Sequence, residues 1–341
     1  MATAPSIPGP TPERIFNALN AYQSTAALKT AIEIDLFTAV GEGVNEPRAL
    51  ARRLGAAERG VRILADYLTV QGFLKKQGTR YALTPDTALF LDRKSPAYLG
   101  TMTGFLASDH GKRSFDRLAE AVRAGGSVMP ERDNTQPQDE IWVAFAKSMA
   151  PLTAPAAGLM AQLAGMQEQK VCKVLDVAAS HGKFGIAFAQ QNPNARIVAL
   201  DWPSVLEVAK ENARAAGVAD RITWLPGSVF EADLGNDYDF VLLTNILHHF
   251  DKPTIEKLLR RLHAALKPGG RVITLEFVPN EDRISPPTAA AFSIIMLTGT
   301  EAGDAYTFSE YDAMFRNAGF SGSTLHQVPN GPQQVIVSEK S

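Results

Sequence analysis

Two hydrophobic rhythms divide the chain. From about Thr11 to Ala164 the apolar residues recur at helical spacing, interrupted by one short hairpin. From about Lys170 onward, short apolar runs alternate with amphipathic stretches. The change falls at AGMQEQK, which is polar and aperiodic, so the expected domains are residues 1–164 and 165–341. In the first part, Pro12 after Thr11 reads as a helix start with proline at its first position. The helix that follows has few charges between Ala18 and Ala31. A helix apolar all round asks for burial on several sides, which a partner subunit would supply. Leu50 and Leu54 share one face of a short helix stopped by Gly55. Val61, Leu64, Ala65 and Leu68 mark a second helix, ended by Gly72. Phe73-Leu74 and Tyr81-Ala82-Leu83 read as two strands around a Lys-Gln-Gly turn. Helix, turn, helix and hairpin form a winged-helix pattern. From Phe105 to Ala164 the pattern is helical again, and IWVAFAKSM (141–149) carries aromatics and a methionine at helical spacing, most of them expected in a core.

The second part repeats strand then helix. Strands are predicted at Val171–Val177, Arg196–Leu200, Ile222–Leu225, Tyr238–Leu243 and Arg271–Phe277. Helices are predicted around Ile186–Gln190, at Ser204–Ala216 and at Thr254–Leu266, the last stopped by LKPGG through Pro268, Gly269 and Gly270. Thr324–Val328 and Gln334–Val337 would pair as a closing hairpin. The alternation predicts an α/β fold with a doubly wound, mostly parallel sheet. Ligands of such sheets bind beyond the carboxyl ends of the strands, near the switch in strand order.

Composition narrows this picture. The chain has 341 residues, 45% hydrophobic and 21% charged, with a formal net charge of −2. That is the profile of a water-soluble globular protein, not a bulk polyanion binder. No apolar run approaches the roughly 20 residues of a membrane span, and the opening MATAPSIPGPTP has no basic or apolar signal region. A cytoplasmic protein is expected. The one cysteine, Cys172, excludes an internal disulfide and a multi-cysteine zinc site, and reads as a small core residue. Arg52, Arg53, Arg59, Arg62, Lys75, Lys76 and Arg80 give the winged-helix pattern some positive charge, diluted by Glu46, Glu58 and Asp66. A packing and dimerisation module is favoured over a DNA-binding one, and no nucleic-acid partner is expected.

The stretch VLDVAASHGKFG (174–185) has the form of a nucleotide loop. Ser180, Gly182 and Gly185 fall at the three positions of the dinucleotide fingerprint, with serine replacing the glycine of the tight turn. The other reading is S-adenosylmethionine. An acid at the strand end, Asp176, would help hold its ammonium, and small residues at Ala178, Ser180 and Gly182 would let backbone approach it. Asp201, ending the second strand, is placed to bind ribose hydroxyls in either reading.

The segments LDVAASHGKFG, ALDWPSVLEVAKENA, LPGSVFEAD, YDFVLLTNILHHFDK, LKPGGRVITLEF and FSEYDAMFRNAGF stand in one order. Together they resemble the class I S-adenosylmethionine-dependent methyltransferases, and among these the caffeic-acid-type O-methyltransferases of plant and bacterial natural products. The resemblance covers Leu175 to Phe320, and the part before it is similar to that family's dimerisation domain. It implies a homodimer with a Rossmann-like catalytic domain, S-adenosyl-L-methionine as cofactor and S-adenosyl-L-homocysteine as product. It implies a small hydroxylated acceptor, aromatic or from secondary metabolism; no metal is expected, since the neighbouring His248 and His249 side chains diverge and no third ligand is evident. It further implies cofactor contacts at Asp176, Ala178, Ser180, Gly182, Asp201, Trp202, Ser228, Val229, Phe230, Thr244 and Phe250. His248 matches the catalytic base and Glu276 the acid that orients it. A histidine in hydrogen-bond reach can take the proton of a phenol, which is mostly protonated at pH 7. Trp142, Phe145, Met149, His249, Phe292 and Met296 are candidate acceptor contacts. His181 is expected near the cofactor tail without a catalytic task, and His110, His263 and His326 are structural.

The chain departs from the family at four places. Ala178 and Ser180 replace loop glycines, Ser228 replaces an acid, His249 replaces the acid that commonly follows the base, and Ala305 occupies the position of a second acid flanking the histidine, with Asp304 beside it. Three rival readings follow. The fold could carry C- or N-methylation, or chemistry without methyl transfer. The winged helix could belong to a ligand-sensing DNA-binding protein. The dinucleotide loop could belong to an oxidoreductase.

Overall fold

A computed structural model describes residues 10–129 and 139–341. By its internal contacts the chain divides after Thr103.

The first unit carries helices Glu13–Leu19, Ala21–Glu33, Leu36–Gly41, Pro47–Leu54 and Glu58–Val70. A hairpin follows, β1 (Leu74–Gln77) against β2 (Arg80–Leu83), then helix Pro85–Phe90. The expected helix–turn–helix–hairpin order is present, and Gly55 ends its helix in the left-handed conformation. The first helix starts one residue later than expected: Pro12 is its cap and Glu13 its first residue. Leu36, Phe37, Leu50, Val61, Ala65, Leu68, Leu74 and Tyr81 form the core. Asp66 ties the hairpin to the fifth helix, accepting from the Tyr81 hydroxyl at 2.7 Å and pairing with Lys76 at 2.5 Å. Arg53, Arg62 and Arg80 likewise meet Glu42, Asp66 and Glu46, so local carboxylates neutralise much of the positive charge here. Helix Glu13–Leu19 buries none of its residues, and Ile15, Phe16, Leu19 and Tyr22 are exposed.

The second unit is built on seven described strands. They are β3 (Cys172–Val177), β4 (Ala195–Asp201), β5 (Ile222–Pro226), β6 (Tyr238–Thr244), β7 (Leu266–Glu276), β8 (Phe320–Gln327) and β9 (Gln334–Lys340), in the order β5-β4-β3-β6-β7-β9-β8. The pairs from β5 to β7 are parallel, and β9 is antiparallel to both β7 and β8, as the predicted closing hairpin requires. Alternate residues serve opposite faces. Phe240 and Leu242 enter one core with Phe188, Ile197 and Met160; Val241 and Leu243 enter the other with Leu258, Leu259, Leu262 and Phe315. Burial on both faces explains why these strands read as nearly continuous apolar runs.

The LKPGG stop differs from expectation. Helix Lys252–Ala265 ends earlier, and residues 266–270 already belong to β7. The register jumps there, from Tyr238 opposite Leu266 to Phe240 opposite Arg271, so the segment is an irregularity in the strand. Helices Asp139–Met149 and Ala154–Leu163 lie within this second unit, where Ala146 packs with Val205 and Val208, and Met160 with Phe188. No helix among the described residues is long and apolar enough to cross a membrane.

Strand order reverses at β3, which pairs with β4 on one side and β6 on the other. The crevice that a doubly wound sheet offers a ligand therefore opens beyond Val177, Asp201 and Thr244.

Candidate active site

The loop after β3 has an unusual backbone for its residues. Ala178, Ser180 and Gly182 all have positive φ, at 53°, 51° and 71°. Only glycine takes this region without cost, and other residues lose about 1–2 kcal/mol there. Asp201 holds the strained loop: its carboxylate accepts the Ser180 and Trp202 N–H groups, both at 2.7 Å. Asp176 is fully buried at the end of β3, and one of its oxygens accepts the Gly185 N–H at 3.0 Å. Gly185 is required there, because a Cβ would sit 2.8 Å from that oxygen and 2.9 Å from Ile197. The other Asp176 oxygen and the Ser180 hydroxyl are buried without a partner among the described residues. Burial pushes the Asp176 carboxyl up to about 7, and the Asp201 carboxyl up to about 6 against its two amide bonds. His181 accepts the Lys183 N–H on Nδ1, and burial lowers its pKa to about 4, so it serves as a neutral brace.

After β5, the Ser228 hydroxyl accepts the Phe230 N–H at 3.2 Å, and the Phe230 ring meets Phe250 edge-on at 5.1 Å. The Val229 side chain faces the core instead, beside Leu175 and Leu200. Trp202 packs with Trp142 and Val143 over Val205 and Val208. Thr244 is buried at the end of β6.

The short turn after β6 carries His248, His249 and Phe250. His248 Nδ1 lies 2.5 Å from the Glu276 carboxylate at the end of β7. The other Glu276 oxygen accepts the Leu247 N–H at 2.9 Å and the His248 N–H at 3.4 Å. With Glu276 ionised, Nδ1 is the donor and Nε2 keeps a lone pair. A chain of rings surrounds this pair. Phe277 stacks on Phe292 at 4.1 Å and Phe292 meets His248 at 4.8 Å. His248 meets His249 at 4.5 Å, His249 meets Trp142 at 5.7 Å, and Trp142 and Phe105 both meet Phe145. Of the candidate acceptor contacts, His249 and Phe292 meet His248 directly, and Trp142 and Phe145 follow along the ring chain beyond His249. Met149 is half-buried and Met296 buried, with no place in the ring chain.

Asp304 does not stand in for the acid replaced by Ala305. Its carboxylate pairs with Arg283 at 3.3 Å and accepts the Ala305 N–H, while Ala305 itself is fully buried. Sequence reasoning missed the elements that press this late loop onto the turn carrying His248. A Cβ on Gly303 would lie 2.2 Å from the His248 carbonyl, and the Tyr306 hydroxyl donates to the Phe250 carbonyl at 2.7 Å. A glycine in a charged loop and a tyrosine carry no periodic signal. Phe105 and Phe277 were missed for the same reason.

Comparison with known proteins decides the family. The O-methyltransferase domain matches residues 145–321, and the O-methyltransferase dimerisation domain matches residues 16–93. The chain belongs to the O-methyltransferase family. The 3-hydroxy-5-methyl-1-naphthoate 3-O-methyltransferase of Streptomyces sahachiroi is 30% identical over 93% of this chain and 92% of its own. The crystal structure of an assigned O-methyltransferase from Nostoc punctiforme shares 52% identity and a TM-score of 0.94, covering 97% of this chain and all of that one. Human N-acetylserotonin methyltransferase in complex with S-adenosylmethionine shares the fold, with a TM-score of 0.83 at 22% identity over 98% and 99% of the two chains.

The loop residues fit S-adenosylmethionine, the molecule held by the human structure. The unpartnered Asp176 oxygen suits an ammonium, directly or through water, and the Ser180 hydroxyl supplies a further polar contact. Each Asp201 oxygen already accepts one amide and keeps a second acceptor position for a hydroxyl.

Because the folded-state pKa of Asp176 is raised, the native state binds a proton that the unfolded chain has released above about pH 4. Asp176 therefore contributes a loss of stability as pH rises from about 4 to 7, and Asp176→Asn should remove that contribution relative to wild type in urea titrations. An unchanged slope would show that the carboxyl titrates normally. Gly185→Ala should cost about 1–3 kcal/mol through overpacking and weaken S-adenosylhomocysteine binding, whereas Ala178→Gly should relieve strain and raise the thermal midpoint.

Proposed function

We propose that the enzyme is a homodimer that methylates a hydroxyl of a small aromatic acceptor, with His248 as general base. The observation that carries this reading is the His248–Glu276 bond of 2.5 Å inside a chain of aromatic rings. Glu276 fixes the tautomer in which Nε2 accepts a proton, and its charge compensates the imidazolium that then forms. Phe292 and Trp142, at either side of the histidine pair, provide flat apolar faces suited to an aromatic acceptor. The naphthoate named for the Streptomyces sahachiroi relative is an acceptor of this shape. When bound, S-adenosylmethionine supplies an electrophilic methyl group. The protein's part is to hold the hydroxyl in line with it, exclude water, and receive the hydroxyl proton on His248 Nε2.

His248→Ala should lower kcat by about 10²- to 10⁴-fold and leave S-adenosylhomocysteine affinity unchanged in calorimetry. Glu276→Gln should cause a smaller loss with the same binding. Turnover unaffected by His248→Ala would sink the base assignment.

The dimer reading rests on the exposed Ile15, Phe16, Leu19 and Tyr22 within or beside the matched dimerisation domain. A contiguous apolar face of this kind marks an interface. Phe16→Glu combined with Leu19→Glu should shift the mass seen by light scattering towards a monomer at micromolar concentration; an unchanged dimer would place the interface elsewhere.

A further inference from the structure

His249 stands where the resemblance places an acid, and the structure gives this imidazole an unsettled position. Its ring lies 4.5 Å from His248 and meets the Trp142 edge at 5.7 Å. His248 is fixed by Glu276, but His249 has no such anchor. Its Nδ1 is closed off from solvent and has no hydrogen-bond partner among the described residues. Burial, reinforced by the neighbouring His248, pushes its pKa well below the ordinary histidine value, so the ring is neutral at pH 7. A neutral imidazole carries one N–H and one lone pair. Leaving a buried polar nitrogen unpaired is unfavourable, and a phenylalanine here would fill the space without that penalty. With Nδ1 closed off, the nitrogen left to meet a bound acceptor is Nε2 of this partly exposed residue.

Resting on the methyl-transfer reading above, we propose that His249 is a specificity-determining residue that donates a hydrogen bond to a carbonyl-type oxygen adjacent to the reacting hydroxyl of the aromatic acceptor. An ionised acid at this position could only accept, and would repel such an oxygen. The neutral ring removes that repulsion and adds a donor. The pairing also has a chemical use. An aromatic hydroxyl beside a carbonyl keeps its proton in an internal O–H···O=C bond, out of reach of a base. When the His249 N–H takes over the carbonyl oxygen, the hydroxyl proton is free to pass to His248 Nε2. The oxygen then forms its bond to the methyl carbon as the carbon–sulfur bond breaks and its electron pair stays on sulfur. One imidazole handles the proton, and its neighbour handles the group that would otherwise retain it.

The test compares methyl 3-hydroxy-2-naphthoate, which has the adjacent carbonyl, with 2-naphthol, which lacks it. Wild type, His249→Phe and His249→Asn are assayed with labelled S-adenosylmethionine, and acceptor binding is measured by calorimetry on protein saturated with S-adenosylhomocysteine. Wild type should favour the ester, and His249→Phe should cut the ester-to-naphthol ratio of kcat/KM by at least about tenfold, the loss expected for one hydrogen bond to a buried group. His249→Asn retains a donor and should restore part of the ratio. A ratio that is the same in wild type and His249→Phe would overturn the proposal and leave methyl transfer standing. Failure of both naphthols to bind protein that still binds S-adenosylhomocysteine would overturn it as well. Failure to bind S-adenosylhomocysteine would instead strike the methyl-transfer reading on which it rests.

Discussion

The buried carboxylate of Glu276 is the constraint around which the catalytic end of the sheet is arranged. It has no exposed surface, and a carboxylate removed from water is tolerated only when donors replace the lost solvation. Here the donors are the Leu247 and His248 amides and the His248 ring. All three come from one turn, so the carboxylate folds that turn around itself. The arrangement depends on β6 and β7 pairing in parallel, with Leu275 opposite Thr244, so that both strands end at the same level. The left-handed Asn245 reinforces it by donating its N–H to the Leu275 carbonyl at 2.9 Å. His248 is thus placed by sheet register and by an electrostatic demand, rather than by a flexible loop.

A second carboxylate does comparable work on the cofactor side. Asp201 accepts the amides of Ser180 and Trp202, which joins the ends of β3 and β4. This bracing explains how the loop keeps left-handed residues without the glycines that usually occupy such positions. Strain of this kind persists only where the surroundings over-determine the backbone, and it clusters at ligand sites. Asp201 and Gly185 are the surroundings in question: one pins the loop amide, and the other lets the buried Asp176 sit against the helix start.

Much of this was legible in the sequence, because periodicity and strand-end chemistry are local. Strand–helix alternation marked β3 to β9 with boundaries off by a few residues, and the resemblance placed His248 and Glu276 before their 2.5 Å contact was seen. The LKPGG segment misled because proline and glycine signal a stop, whereas here they form an irregularity inside β7. The part played by Asp304 was not legible in the sequence. Its fate is decided by Arg283, an ion-pair partner 21 residues away that no local pattern reveals. The ring chain was equally hidden. It joins Phe105, Trp142, His249 and Phe292, which meet only after the fold has closed.

The two departures beside His248 have a joint consequence. Ala305 removes one of the negative charges that would stabilise an imidazolium, and His249 replaces another with a neutral ring. Glu276 is the carboxylate that bonds the His248 ring, and no second one stands at position 249 or 305. A hydroxyl conjugated with a neighbouring carbonyl has a stabilised anion, and it is reluctant to ionise only while its proton bridges the two oxygens. A donor directed at the carbonyl removes that reluctance. On the reading proposed above, the lost negative charge around His248 and the added donor at His249 act together: the site can accept an electron-rich oxygen next to the reacting one.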